Sequence, residues 1–333
     1  MTDSPQAAFI SGKRFLVTGG AGFIGSHLVD ALLAGGADRV AVIDNFFLGR
    51  EENLAEARLA HPDRLQVYRE DAAEFEALKA VVEAERPDYV FNLATKALLY
   101  SFFNPLGACR VNLEIAGNLG ELLRAGAYER LVHFSSSEVY GSAISIPMDE
   151  NHPLNAETSY AAGKAAADLL LKSYVNMFDL PILMIRPFNN YGPRQNDAAL
   201  AAIIPLTIKR LHRGEAAVIA GDGLQTRDFI YVGDTVRSTF KLAAQAPYDG
   251  QVYNLGSGRQ TAIRDLLDTL VSLFPEAPET LHEPARAADV RAHCANVSRA
   301  ASIIGEVAPT SLEKGLKQTV DWYLKHYDPA DQA

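Results

Sequence analysis

Cysteine is scarce. Cys109 and Cys294 are the two in 333 residues, and they lie far apart in the chain. They provide no disulfide framework and fit a reducing compartment, so a cytoplasmic protein is expected. Long apolar runs are missing as well: no stretch nears the roughly 18 apolar residues of a membrane helix. The opening MTDSPQAAFISGK has no apolar segment of the secretory kind, so neither export nor a membrane partner is expected. Positive charge is short, with 31 Lys and Arg against 41 Asp and Glu for a formal net charge of −10. That balance argues against a nucleic-acid partner, and an anionic ligand would need locally gathered arginines. No repeat or low-complexity segment stands out, and no metal is expected. What remains is an ordinary globular composition, 48% hydrophobic and 22% charged, long enough for a large core and one or two domains.

Short apolar runs recur at RFLVT, RVAVID (39–44), LQVY (65–68), YVFNLA (89–94), LVHFSS (131–136) and ILMIRPF (182–188). Helix-like segments such as EFEALKAVVEAE separate them. Nearly continuous apolar strands alternating with helices predict an α/β fold with a doubly wound parallel sheet covered on both faces. Ligands of such sheets sit beyond the carboxyl ends of the strands. After about residue 190 the rhythm changes. IIPLTIKRLHRG reads as a helix, AAVIAGDG as a strand and turn, FIYVGDTVRSTFKLAAQA as a strand then helix, and VYNLGSG as a strand, while FPEAPETLHEPARAAD reads as loop. A smaller α/β substrate domain is expected, interleaved with the first: residues 1–189 with returns near 228–256 form one unit, and 190–330 the other.

TGGAGFIG (18–25) satisfies both G-x-G-x-x-G, through Gly20, Gly22 and Gly25, and G-x-x-G-x-x-G, through Gly19, Gly22 and Gly25. The pattern follows a strand and opens a helix whose N-terminus offers N–H groups and positive dipole to a pyrophosphate. Asp44 ends the next strand, nineteen residues after Gly25. A carboxylate there accepts hydrogen bonds from ribose hydroxyls and repels a 2′-phosphate, which predicts NAD rather than NADP. Arg50 nearby pulls the other way. Asp71, ending another strand, reads either as an adenine contact or as a solvated turn acid.

Tyr160 and Lys164 are four residues apart in YAAGKAAADLLLKSYV and so share one helix face. A free tyrosine titrates near 10, too high for proton exchange at neutral pH. A neighbouring ammonium lowers that value. The spacing alone also fits a solvated pair. Its position after a cofactor turn and the serine-bearing SSSEVYG (135–141) favours a catalytic one.

TGGAGFIG, SSSEVYG, YAAGK, RPFNNYGPRQ and GDGLQTRDFIYVGD together resemble the extended short-chain dehydrogenase/reductase family that acts on nucleotide sugars, from about Lys13 to Trp322. The resemblance implies a Rossmann sheet and a tightly held NAD contacted by Gly19, Gly22, Phe23, Ile24, Gly25, Asp44, Asn45, Asp71, Ala72, Leu93, Ala94 and Thr95. It implies that Tyr160 is the base, that Lys164 orients it and holds the nicotinamide ribose, and that Ser136 contacts the reacting hydroxyl. Glu138 follows Ser136 and Ser137, where members that only invert C4 usually carry no acid. It is expected to remove the C5 proton in a 4,6-dehydratase; its other reading is a capping or solvent-facing acid. Lys96 stands where the family usually shows a His-x-Ala-Ala run, as a substrate contact, a partner for Glu138 or a structural residue. The same segments resemble most the GDP-N-acetylglucosamine 4,6-dehydratases, with 4-epimerases and UDP-glucuronate decarboxylases as alternatives. A sugar diphosphate needs fixed cations, for which Arg194, Arg227 and Arg286 are candidates; by the same resemblance, Asn190 and Arg227 meet the diphosphate, and Arg286 with Asp289 closes over the nucleotide. Helices near 106–126 and 158–178 are expected to pair across a two-fold in a homodimer.

Overall fold

The computed structural model describes residues 5–198, 201–284 and 291–327. After α1 (Pro5–Ile10), strands and helices alternate: β1 (Arg14–Thr18), α2 (Phe23–Ala34), β2 (Arg39–Ile43), α3 (Ala55–Ala60), β3 (Leu65–Tyr68), α4 (Phe75–Glu85), β4 (Tyr89–Asn92), α5 (Pro105–Arg124), β5 (Arg130–Phe134), α6 (Ser159–Phe178) and β6 (Ile182–Pro187). The second half adds β7 (Asn189–Tyr191), α7 (Ile203–His212), β8 (Val218–Ala220), β9 (Thr226–Arg227), β10 (Phe229–Tyr231), α8 (Val232–Gln245), β11 (Asp249–Leu255), β12 (Thr261–Ala262), α9 (Ile263–Ser272), β13 (Leu281–Glu283), α10 (Ser298–Ile304) and α11 (Leu312–His326).

Seven parallel strands form one sheet in the order β11-β6-β5-β4-β1-β2-β3. This is the doubly wound α/β architecture that the alternating apolar runs predict. Both faces are covered, which is why the strands carry no polar alternation. One face buries Phe15, Val17, Val42 and Phe91 under α2 and α8. The other buries Leu16, Ala41, Val90 and Ile182 under α4, α5 and α6. The order reverses between β1 and β4, and their carboxyl ends diverge into the crevice where ligands of such sheets bind. Two strands end earlier than their apolar runs suggest: β4 stops at Asn92 and β5 at Phe134. Leu93 and Ser135 each keep one last backbone hydrogen bond to the neighbouring strand, and with Ala94 and Ser136 they line that crevice.

The chain returns to this sheet late. β11 pairs with β6, and α8 packs against α1, α2 and α10. The remaining elements, α7, β8, α9, β13 and α11, enclose their own core of Ile204, Leu266, Leu267, Leu316 and Tyr323. The segment read as loop after Phe274 contains a short strand, β13, held by parallel pairing with β8. Three residues with two prolines nearby carry too little periodic signal to be read from sequence. Among the described residues, no helix is long and apolar enough to cross a membrane.

α5 and α6 are the longest helices at 20 residues each. Each begins with a side-chain cap: the Asn104 carbonyl accepts from Gly107 N, and the Thr158 hydroxyl from Ala161 N. Gly163 lets them approach closely, because a Cβ there would stand 2.7 Å from the Cys109 carbonyl oxygen. That contact fixes the start of α6, and with it Tyr160 and Lys164.

Candidate active site

One cavity of about 370 Å³ opens at the carboxyl ends of β1, β2, β4 and β5. Every residue assigned to the cofactor lines it: Gly19, Gly22, Phe23, Ile24, Gly25, Asp44, Asn45, Asp71, Ala72, Leu93, Ala94, Thr95, Tyr160 and Lys164. The glycine turn is shaped by backbone approach. Gly19 has φ +70°, and a Cβ on it would stand 2.8 Å from Ala94 N. A Cβ on Gly25 would meet Gly19 O at 2.2 Å. No side chain caps the N-terminus of α2, and no acid occupies its first turn, so its N–H groups and dipole stay open to an anion. Asp44 accepts from Ala21 N at 2.9 Å and from Phe46 N at 2.8 Å, while burial raises its carboxyl above the usual value. Arg50, which argued for NADP in the sequence, is ion-paired with Asp197 instead. Asp71 accepts from Asn45 Nδ2 at 2.7 Å. The glycine cradle, the open helix end and the acid beside it fit a dinucleotide with free ribose hydroxyls. Gly25→Ala is expected to weaken NAD binding by about tenfold or more, because the new methyl overpacks against backbone; titration of the purified protein with NAD checks it.

Tyr160 and Lys164 reach the cavity from the first turns of α6, and Ser136 from the end of β5. Tyr160 is not lowered by its lysine, as the spacing suggests. Burial pushes the phenol up to about 12, side-chain hydrogen bonds with Ser136 and Thr95 pull it down, and the Glu138 charge adds to the rise. Lys164 instead donates to the Phe134 carbonyl at 2.8 Å, and burial lowers it to about 8. Thr95 is itself positioned by Asn112, whose Oδ1 accepts its hydroxyl at 2.6 Å. No local pattern marks Asn112, because the contact joins α5 to the loop after β4.

Glu138 and Ser137 lie on the 3-10 turn Ser137–Tyr140 that follows β5. Ser137 is buried, Glu138 is half-buried, and neither lines the cavity. Glu138 N donates to Ser136 Oγ at 3.2 Å, which ties this turn to the catalytic serine. Lys96 does line the cavity, with its Nζ 3.7 Å from the Phe47 ring centroid. Phe47 in turn packs edge-on against Tyr100 at 5.2 Å. Lys96 therefore bridges the loops after β2 and β4 over the cavity mouth, on an aromatic seat that no local pattern marks. Asn190 lines the cavity from β7 and accepts the Thr235 hydroxyl at 2.6 Å. Arg194 lines it too, in a left-handed conformation and paired with Asp30 of α2 at 2.6 Å. Arg227 sits apart on β9, donating to the Thr226 carbonyl. Arg286 and Asp289 lie outside the described residues.

Residues 15–256 match the model of the NAD dependent epimerase/dehydratase family. A UDP-glucose 4-epimerase of Mycolicibacterium smegmatis is 34% identical, over 93% of this chain and 98% of the relative. A UDP-glucuronic acid decarboxylase of Arabidopsis thaliana is 33% identical, over 92% of this chain and 88% of the relative. The crystal structure of a dTDP-glucose 4,6-dehydratase from Streptomyces venezuelae with NAD bound superposes with a TM-score of 0.86 at 29% identity, covering 94% of this chain and 97% of that one. With its glycine cradle, its Tyr160–Lys164 pair and relatives named for UDP- and dTDP-sugars, the chain belongs to the NAD dependent epimerase/dehydratase family, and its cofactor is NAD.

Proposed function

We propose that the protein is a nucleotide-sugar 4,6-dehydratase that retains its NAD through each turnover, with GDP-N-acetylglucosamine as substrate. The observation that carries this reading is Glu138: an acid two residues beyond Ser136, close enough to Tyr160 for its charge to act on the phenol. NAD, which the glycine turn, Asp44 and Lys164 would hold, would supply the hydride acceptor and donor. Ser136 and Thr95 hold the phenol oxygen, so Tyr160 is aimed to take the proton of the sugar 4-hydroxyl. Oxidation at C4 acidifies the neighbouring C5–H. The Glu138 carboxylate takes that proton and delivers it to the departing 6-hydroxyl, which leaves as water. Ser137 has no acidic proton to offer, so Glu138 serves both steps. Residues 1–189, with the return at 228–256, hold NAD in this reading, and 190–330 hold the sugar nucleotide through Asn190, Arg194 and Arg227, with Arg286 and Asp289.

A 4-epimerase is the second reading. Glu138 stands outside the lining of the cavity, and a curated relative at 34% identity is a UDP-glucose 4-epimerase. A decarboxylase would draw on Lys96 for the sugar carboxylate. Incubation with GDP-, UDP- and dTDP-sugars separates the three. The dehydratase yields a product lighter by one water, with solvent deuterium at C5. An epimerase leaves the mass unchanged, and a decarboxylase releases carbon dioxide.

The outer faces of α5 and α6 expose Leu106, Leu169 and Met177. This supports a homodimer that pairs these helices across a two-fold. A reducing cytoplasm accords with two free cysteines.

A further inference from the structure

Behind the catalytic pair lies a buried ionic cluster that the proposed chemistry does not use. Asp168 sits one turn beyond Lys164 on α6 and is 4% exposed. Its Oδ2 accepts from Ser135 Oγ at 2.6 Å and from Arg186 of β6 at 2.6 Å. Its Oδ1 faces His133 Nε2 of β5 at 3.6 Å, without a hydrogen bond. Ser135 and Phe134 are consecutive at the end of β5: one holds Asp168, and the carbonyl of the other holds the Lys164 ammonium. The same corner of the sheet therefore fixes both the lysine and an anion beside it.

We propose that Asp168 is a positioning residue for Tyr160 and Lys164: fixed by Ser135 and Arg186, it is the buried countercharge that keeps Lys164 an ammonium against the Phe134 carbonyl. The inference rests on the reading of Tyr160 and Lys164 given above. A lysine removed from water loses its proton readily unless an anion is near. Here burial lowers Lys164, and Asp168 is the charge that opposes the fall. The other titratable or charged groups packed around α6 do not replace it. His133 of β5 is held neutral, its value lowered to about 3 by burial and the nearby cations. Arg186 of β6 carries the same sign as the lysine. Glu138 and Tyr140 belong to the turn after β5, where Tyr140 is kept protonated by burial and Glu138 acts on Tyr160. Cys109 of α5 meets α6 at Gly163 through its backbone. Tyr100 packs edge-on against Phe47, and Asp249 of β11 lies two turns further along, where its backbone carbonyl accepts from Lys172.

The sign of the effect follows from the charge. The ammonium is the protonated form, so removing a neighbouring negative charge makes it lose its proton at lower pH. Asp168→Asn keeps the shape of the side chain and removes the charge. In the full-length enzyme with NAD, its alkaline loss of kcat is expected about one pH unit or more below that of the native protein, and kcat at pH 8 is expected to fall about tenfold more than kcat at pH 6.5. Adding Asp168→Asn to Lys164→Met is expected to cost nothing further. Because Asp168→Asn leaves Arg186 buried without its countercharge, Asp168→Asn/Arg186→Met is the second variant, and it is expected to show the same displaced limb. A uniform loss of kcat with an unmoved alkaline limb, or failure of both variants to fold, overturns the proposal and leaves Asp168 an anchor for Arg186. Tyr160→Phe separates the two levels. If it retains turnover, the catalytic reading fails; if it is inactive and the limb in Asp168→Asn does not move, this inference alone fails.

Discussion

Tyr160→Phe is expected to lower kcat by about 10³-fold or more while NAD stays bound. The substitution removes one oxygen, and that oxygen is where the Ser136 and Thr95 hydroxyls converge. General acid–base groups contribute on the order of 10² to 10⁴ in rate, and no second phenol lines the cavity among the described residues. The ring itself is half-buried and its packing is kept, so the fold should be unaffected. Steady-state turnover on the accepted sugar nucleotide, with bound NAD measured on the same sample, checks it. Unchanged turnover would remove Tyr160 from the chemistry altogether.

Glu138→Gln is the second large effect, and it separates two steps that the native enzyme runs together. Water loss is expected to fall by about 10² to 10⁴-fold, while oxidation at C4 continues and reduced cofactor accumulates with substrate. The reason is a division of labour. Tyr160 needs only its own hydroxyl partners, whereas removal of the C5 proton needs a carboxylate. Rapid-mixing absorbance of the reduced nicotinamide, together with product mass, resolves the two. If Glu138→Gln dehydrates at the native rate, elimination does not pass through this side chain. If the product keeps its 6-hydroxyl in both proteins, the enzyme is an epimerase and the acid is a turn residue.

The two glutamate readings differ by geometry that no sequence pattern encodes. SSSEVYG places Glu138 after a serine-bearing strand, and the structure bends that stretch into a 3-10 turn held by Ser136 Oγ. Ser136, which caps the turn, lines the cavity, whereas Glu138 on the turn lies outside its lining. Lys96 is a similar case. Its number in the chain put it near the cofactor, but its seat over Phe47 joins two loops about fifty residues apart. Arg194 and Arg227 both read as diphosphate cations; one lines the cavity and the other is held on β9 by its own neighbour.

By itself the sequence determined the architecture and the cofactor half of the site, because both are local. Strand–helix alternation repeats within each unit, and the glycine turn with Asp44 spans fewer than thirty residues of one βαβ unit. Spacing of four on a helix likewise put Tyr160 and Lys164 on one face before any tertiary contact was known. Only the tertiary structure decided the electrostatics. Whether Tyr160 is raised or lowered, which carbonyl takes the lysine, and that Ser135 and Arg186 fix Asp168 all depend on how β5, β6, α5 and α6 pack. Burial removes the water that sets ordinary acidities, and which charges replace that water is a property of packed elements rather than of neighbours in the chain.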